Sequence, residues 1–318
     1  MAGRMDTFGM TDIGLVRSRN EDQFLIADLK KSVIIHQTSL SYDDETHLMG
    51  KSHAQVFLVA DGVGGSEAGD RASRMAIQGV VQYLLNAMHW LFPLDDNLLN
   101  SFLDELKGAF AFSQEKLHKA AAMAAPHESM STTITMAYLV WPQLYLIHAG
   151  DSRAYVHRNN ELTRLTHDQT YAQTLVDAGL MKETELRTSP LRNVLSGLVG
   201  GDPSHFHPEI TQFKLNLHDK LLLCTDGLTA HVTETQIAQM LCEERTSEEV
   251  CQRLIDRANE AGGRDNITVV LVQFTDDSRP HERTRVEERA IPEPEQDVPS
   301  RQLLVESLTV TQESILAN

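Results

Sequence analysis

The stretch Val56-Phe57-Leu58-Val59-Ala60-Asp61-Gly62-Val63-Gly64-Gly65 decides the fold. A short apolar run ending in Asp-Gly and more glycine predicts a buried strand that stops at a loop where backbone comes close to something. An aspartate in that place sits half-desolvated on the rim of the core, where a carboxylate needs a cation. The pattern recurs at Lys220-Leu221-Leu222-Leu223-Cys224-Thr225-Asp226-Gly227. It returns in mirror order at Gly262-Gly263-Arg264-Asp265-Asn266, before Ile267-Thr268-Val269-Val270-Leu271-Val272. Three acids at the ends of three apolar strands organise the rest of the reading.

The chain of 318 residues is long enough to bury a substantial core. Its 41% hydrophobic and 23% charged residues are those of an ordinary globular protein. A formal net charge of −17 argues against nucleic acid or an anionic membrane as the main partner. Cations held by the aspartates would cancel part of it. The three cysteines, Cys224, Cys242 and Cys251, lack CxxC spacing. With no apolar signal-like segment at the amino terminus, they suggest reduced thiols in a cytoplasm. No run approaches the ~18 apolar residues of a membrane span. A monomer is expected.

Outward from the opening stretch, residues 5–15 and Phe24-Leu25-Ile26-Ala27 read as two strands, and residues 30–53 as a surface insertion, a hairpin extension. Downstream, Ala72, Met75, Ala76, Gly79, Val80, Tyr83, Leu84 and Ala87 form a helical stripe. A second helix after Pro93 carries Leu99, Phe102, Leu103, Leu106, Phe110 and Leu117 on one face. Residues 131–165 read as a meander of four strands, with Asn159-Asn160 as a hairpin turn. Residues 168–190 read as a helix and an excursion, with strands resuming near Val194-Leu195 and over 206–215. Thr233-x-x-Gln236 and Thr246-x-x-Glu249 fit capping boxes at two helix starts. A strand over 266–274 closes a domain of residues 1–275. Residues 276–318, charged and bearing Pro280, Pro292, Pro294 and Pro299, read as a disordered tail. Runs of strands beside paired helices predict an α+β layered sandwich rather than alternating βαβ units.

Hard cations such as Mg²⁺ or Mn²⁺ take oxygen ligands and keep several waters, so one or two carboxylates per ion suffice. A carboxylate can bridge two such ions about 3.5–4 Å apart, with a water between them activated near neutral pH. Asp61 is the candidate bridge, and Gly62 lets its own carbonyl turn toward the second ion. Asp226 and Asp265 complete one ion's protein ligands, while Glu21 and Asp22 hold coordinated waters from outside. Arg17, four residues before Glu21, can grip a phosphate by two parallel hydrogen bonds. A single Asp-Gly is usually a turn; three at strand ends with Glu21-Asp22 upstream point to a metal centre. His205-Phe206-His207 is an incidental strand pair rather than a zinc site, and Cys224 is a core residue rather than a nucleophile.

These residues also carry a resemblance. Asp12-x-Gly14-x-x-Arg17-x-x-Asn20-Glu21-Asp22 followed by Val59-Ala60-Asp61-Gly62-Val63-Gly64-Gly65 resembles the opening of the protein phosphatase 2C family of metal-dependent serine/threonine phosphatases. The likeness continues through Met130-Ser131-Thr132-Thr133, Gly150-Asp151-Ser152-Arg153-Ala154-Tyr155, Leu165-Thr166-His167-Asp168, Thr225-Asp226-Gly227-Leu228 and Asp265-Asn266-Ile267-Thr268, in the family's order. It is closest to bacterial members. It implies a four-layer α-β-β-α sandwich of two antiparallel sheets flanked by helices. It implies that Asp61 bridges two Mg²⁺ or Mn²⁺ ions, that Gly62 offers a backbone oxygen, and that Asp226 and Asp265 complete the first ion's protein ligands. Asp151 matches the aspartate that joins Asp226 around a third, weaker metal, and Arg17 would bind the substrate phosphate.

The implied activity is hydrolysis of phosphoserine and phosphothreonine in proteins by a water between two ions, without a phosphoenzyme. Substrates would be phosphoproteins made by a Ser/Thr kinase. The segment 168–200 corresponds to the family's flap, where substrate choice is thought to reside. Departures are Ser66, Gln169 and Ser189, each where members usually carry histidine, and Val63 where animal-type members place a candidate general acid. No carboxylate ligand is lost, so an active enzyme is expected. A catalytically weak fold-mate that binds phosphoproteins as a scaffold is the alternative.

Overall fold

A computed structural model describes residues 4–35, 46–64, 67–86, 96–123 and 130–276. The chain divides into two units, Met1–Ser278 and Arg279–Asn318. The expected disordered tail falls almost wholly outside the described residues, as do Gly65, Ser66 and Pro93.

The strands are β1 (Arg4–Asp12), β2 (Asp22–Ile35), β3 (Thr46–Val63), β4 (Ser131–Thr132), β5 (Ile134–Val140), β6 (Gln143–Ala149), β7 (Arg153–Arg158), β8 (Glu161–Arg164), β9 (Val199–Gly200), β10 (Glu209–Lys214), β11 (Lys220–Cys224) and β12 (Ile267–Thr275). The helices are α1 (Glu67–Asn86), α2 (Asp96–Met123), α3 (Tyr171–Asp177), α4 (Glu183–Leu186), α5 (Asp226–Thr229), α6 (Glu234–Cys242) and α7 (Ser247–Glu260). Among the described residues the strands form two antiparallel sheets. One runs β1-β12-β11-β7-β8; the other runs β10-β6-β5-β3-β4-β9, with β2 also paired to β3.

The apolar runs are continuous because their strands are covered on both faces. In β3, Val56, Leu58 and Ala60 pack under α1 and α2 with Ala76, Val80, Phe102 and Phe110. The alternate residues Phe57 and Val59 meet Leu221, Leu223, Val270 and Val272 between the sheets. On the far side Leu222, Cys224, Val269 and Leu271 pack against Leu241, Val250, Leu254 and Ile255 of α6 and α7. A period of two inside a run of apolar residues thus feeds two different cores. Helices, sheet, sheet and helices stack as four layers.

Several local expectations hold in detail. Thr233 and Thr246 each form a capping box, with Gln236 and Glu249. Asn159 and Asn160 take φ of 51° and 65°, the left-handed pair that a tight hairpin requires. Strands β2 and β3 continue as a paired ribbon as far as Ile35 and Thr46.

Elsewhere the structure corrects the sequence reading. The meander of 131–165 is split, β5 and β6 lying in one sheet and β7 and β8 in the other. Residues 168–190 hold two short helices rather than one, and Leu195 makes only an isolated bridge to Thr170. This segment buries little, so periodicity carries no signal there. No helix among the described residues is long and apolar enough to cross a membrane.

Candidate active site

Asp61 does not end its strand. It lies inside β3, opposite Asp22 in β2, and Gly62 pairs onward with Thr132 of β4. The Asp61 amide donates to Thr133 Oγ1 at 3.2 Å, and the Asp61 carbonyl accepts from Thr133 N at 2.9 Å and Thr132 Oγ1 at 2.7 Å. Both backbone groups are therefore satisfied while the side chain stays half-buried. Gly62 is needed because a Cβ there would strike the backbone oxygen of Gly69 in α1, so glycine lets the helix N-terminus approach the strand.

Four other aspartates come within electrostatic reach of Asp61: Asp22, Asp226, Asp151 and Asp265. They arrive from the start of β2, the start of α5, the β6–β7 turn and the loop before β12. Burial first, and then these like charges, push the Asp61 carboxyl well above the usual carboxylate range. Asp151 is raised in the same way by burial and by Asp226. Burial and Asp265 raise Asp226 to about 6, although it shares a hydrogen bond with Asp61. Asp22 is pushed up to about 7, chiefly by burial, against the hydrogen bonds of Thr268 and Thr225. Its Oδ2 accepts from Thr225 Oγ1 at 2.8 Å, while Oδ1 is buried with no hydrogen-bond partner.

Arg17 and Asp265 sit at the open edge. Arg17 Nη2 donates to Asp265 Oδ2 at 2.7 Å, with the side chains 44% and 35% exposed. Asp265 Oδ1 accepts from the Asn266 amide at 2.9 Å, so both of its oxygens are engaged. Glu21 is buried against the N-terminus of α1, where a Cβ on Gly69 would meet its Oε2 at 2.5 Å.

The sequence reading assigned no work to the residues that lock these loops together. Asn266 accepts from the Glu21 amide and donates to the carbonyls of Ile13 and Arg19, each at 2.9 Å, tying the Asp265 loop to the Arg17 loop. Thr225 donates to Asp22 and accepts from Thr268 N at 3.0 Å. Arg153 forks onto Asp168 with bonds of 2.6 and 2.9 Å beneath the Asp151 turn. Gln169 bonds the Gly150 amide at 3.1 Å and the His207 carbonyl at 2.9 Å, joining that turn to the chain near β10. All but His207 lie within or beside the recurrent motifs, and the signal was their polarity at buried positions.

Among the described residues no three His, Cys, Asp or Glu side chains are drawn together tightly enough to hold one ion by themselves. The donor set is instead several separated carboxylates on a half-buried rim, one with an orphaned buried oxygen. That suits hard divalent cations that keep water ligands and ask for one or two carboxylates each. Packed like charges with raised proton affinity also demand a compensating cation, whether protons or metal. The residues present therefore fit a divalent centre.

The protein phosphatase 2C family profile matches residues 35–272. The serine/threonine protein phosphatase PstP of Mycobacterium tuberculosis is 30% identical over 266 residues, which is 84% of this chain but 44% of PstP. The chain thus spans less than half the length of that relative. The serine/threonine phosphatase stp of Listeria monocytogenes is 32% identical over 229 residues, covering 70% of this chain and 86% of the relative. Among solved structures, a Streptococcus agalactiae serine/threonine phosphatase superposes with a TM-score of 0.71 at 28% identity, over 85% of this chain and 100% of the other. The catalytic domain of PstP in complex with two manganese ions matches with a TM-score of 0.64 at 28% identity, over 86% and 99%. Fold, profile and motif order agree, and the chain belongs to the protein phosphatase 2C family.

Proposed function

We propose that this protein hydrolyses phosphoserine and phosphothreonine in proteins, using divalent cations held by Asp61, Gly62, Asp226 and Asp265. The observation that carries this reading is the gathering of four aspartates from separate segments around Asp61, with Arg17 at the open edge. Asp151 is assigned to a third, weaker site beside Asp226, and Glu21 and Asp22 to the water around the ions. Bound Mg²⁺ or Mn²⁺ supplies positive charge for the phosphoryl oxygens and lowers the pKa of water, so that water is the nucleophile.

The chain's own groups do the rest. Arg17 turns from Asp265 to the phosphate and fixes it by a two-pronged, charge-assisted contact. Asp61 stays fixed because its backbone is held by Thr132 and Thr133. The nearby thiol of Cys224 does not compete as a nucleophile: burial pushes it up to about 12, and it packs in the core under α6 and α7. With metal bound, we assign the in-line attack to water rather than to a side chain, so that no phosphoenzyme would form.

The activity is assigned to residues 1–275, in the cytoplasm and as a monomer, acting on products of Ser/Thr kinase reactions. Asp61→Asn or EDTA is expected to lower phosphate release from a phosphothreonine peptide by at least about a hundredfold, the scale of removing a principal electrostatic group. Full turnover in either case rejects the reading, while binding without hydrolysis in untreated protein favours the scaffold alternative. Deleting 276–318 should leave turnover intact.

A further inference from the structure

The apolar rows between the two sheets change character at one end. Val59 of β3, Ala137 of β5, Leu146 of β6 and Ala154 of β7 all pack in that inner core. Two residues further toward the site, on the same face, these rows reach Asp61, Thr135, His148 and Ser152, with Thr133 two beyond Thr135. Thr133, Thr135, His148 and Ser152 are at most 2% exposed. Buried hydroxyls and imidazoles are costly unless hydrogen-bonded, and these bond one another across the gap between the sheets. The Asp61 amide donates to Thr133 Oγ1 at 3.2 Å, and that hydroxyl shares a 2.8 Å hydrogen bond with Ser152 Oγ. Thr135 Oγ1 donates its one proton to the Ser152 carbonyl at 3.2 Å, so its 2.8 Å bond with His148 is donated by the ring Nδ1. Burial lowers His148 to about 4 and keeps the ring neutral, so Nε2, buried without a partner, carries no proton.

Thr133 touches both segments that carry an aspartate. Its hydroxyl holds the Asp61 amide, and its Cγ2 lies against Gly150, where an added Cβ would strike it. The Gly150 amide and carbonyl are in turn both bonded to Gln169. The Gly150-Asp151-Ser152 turn is thus fixed from the Gln169 side and joined to Asp61 through the hydroxyls of Thr133 and Ser152. Resting on the phosphatase reading above, we propose that Thr133 and Ser152 are positioning residues that hold Asp61 and Asp151 at one spacing, so that divalent cations taken up by the two aspartates depend on a shared hydroxyl pair. The link crosses between the sheets, since β3 and β5 belong to one and β7 to the other. Apolar side chains at the same places would pack without fixing a direction, because the hydrophobic effect is non-directional. Two bonded hydroxyls fix direction as well as distance.

The test titrates the metal-free full chain with Mn²⁺ by calorimetry and reads the Mn²⁺ concentration that gives half-maximal turnover of p-nitrophenyl phosphate. Thr133→Val keeps the contact with Gly150 and loses one hydroxyl; Ser152→Ala loses the other. Each is expected to weaken Mn²⁺ binding by roughly ten- to a hundredfold, the usual effect of removing a group that orients a metal ligand. Thr133→Ser, which keeps the hydroxyl, should bind like wild type. Because the two hydroxyls act as one link, the double variant should bind no more weakly than the weaker single one. A hydroxyl that only stabilises the fold would lower the metal-free melting temperature and leave the Mn²⁺ affinity of the folded protein unchanged. That outcome, a fully additive double variant, or a Thr133→Ser protein as weak as Thr133→Val overturns the proposal. Should Thr133→Val not fold, judged by circular dichroism, Ser152→Ala must show the loss and Thr133→Ser the retained affinity. Wild type that binds Mn²⁺ while the variants bind equally well leaves the phosphatase reading standing. Wild type that neither binds Mn²⁺ nor turns over a phosphothreonine peptide defeats that reading, and the proposal with it.

Discussion

At the scale of single residues, the acids of the site were legible because each stands where an apolar run stops. A carboxylate at the rim of a core is costly unless something compensates it. What composition could not reveal is how the neighbours share the load. Asp168 reads as one more polar residue in Leu165-Thr166-His167-Asp168, yet its side chain is 7% exposed and takes the fork of Arg153, itself 19% exposed. Arg153 also donates to Tyr155 Oη at 3.2 Å, and Tyr155 reaches Glu234 of α6. Removing one partner strands a charge in low dielectric, which costs about 3–5 kcal/mol. Asp168→Ala is therefore expected to lower the unfolding free energy by that amount in urea titration, more than Arg74→Ala on the surface of α1. Equal losses in the two variants would mean that the buried pair is solvated after all.

Among elements, the long strand and its covering helices were readable from periodicity, and the segment 168–200 was not. Strand β3 and helices α1 and α2 each bury a whole face, so their apolar spacing is set by geometry. Helices α3 and α4 bury little, and hydrogen bonds from Gln169 to the His207 carbonyl and from Gln173 to Thr170 and Asp177 hold their surroundings instead. Hydrogen bonds of that kind leave no period in a sequence. A close contact between elements is at Gly62, where β3 meets the first turn of α1 through the Gly69 carbonyl and where Glu21 O also lies near. Neither obstacle is a flexible side-chain end, so a methyl group must push the helix off the strand. Gly62→Ala is expected to cost at least about 1–3 kcal/mol, the usual penalty of overpacking, and to weaken Mn²⁺ binding measured by calorimetry. An unchanged melting temperature with full metal affinity would show that the helix yields freely.

For the whole molecule, the crowding of carboxylates makes stability depend on pH in an unusual direction. Asp22 sits at about 7 and Asp226 at about 6, raised chiefly by burial, while the same groups in an unfolded chain titrate near ~3.9. Between those limits the folded protein holds more protons than the unfolded chain. Stability is then fully present below about pH 4 and is lost as pH rises through the folded values. Buried His148, lowered to about 4 by desolvation, runs the opposite way but has no further effect above its unfolded value near ~6.5. In EDTA the melting temperature should therefore fall from pH 6.5 to pH 8, with each kcal/mol worth about 2–4 °C in a domain of this size. Asp22→Asn, which removes one raised carboxyl and leaves His148 in place, should flatten that fall. Added Mn²⁺ should raise the melting temperature more at pH 8 than at pH 6, because a cation must displace the protons that the cluster retains at lower pH. A metal-free protein that grows more stable toward pH 8, or a Mn²⁺ gain independent of pH, would show that the five aspartates are not electrostatically joined.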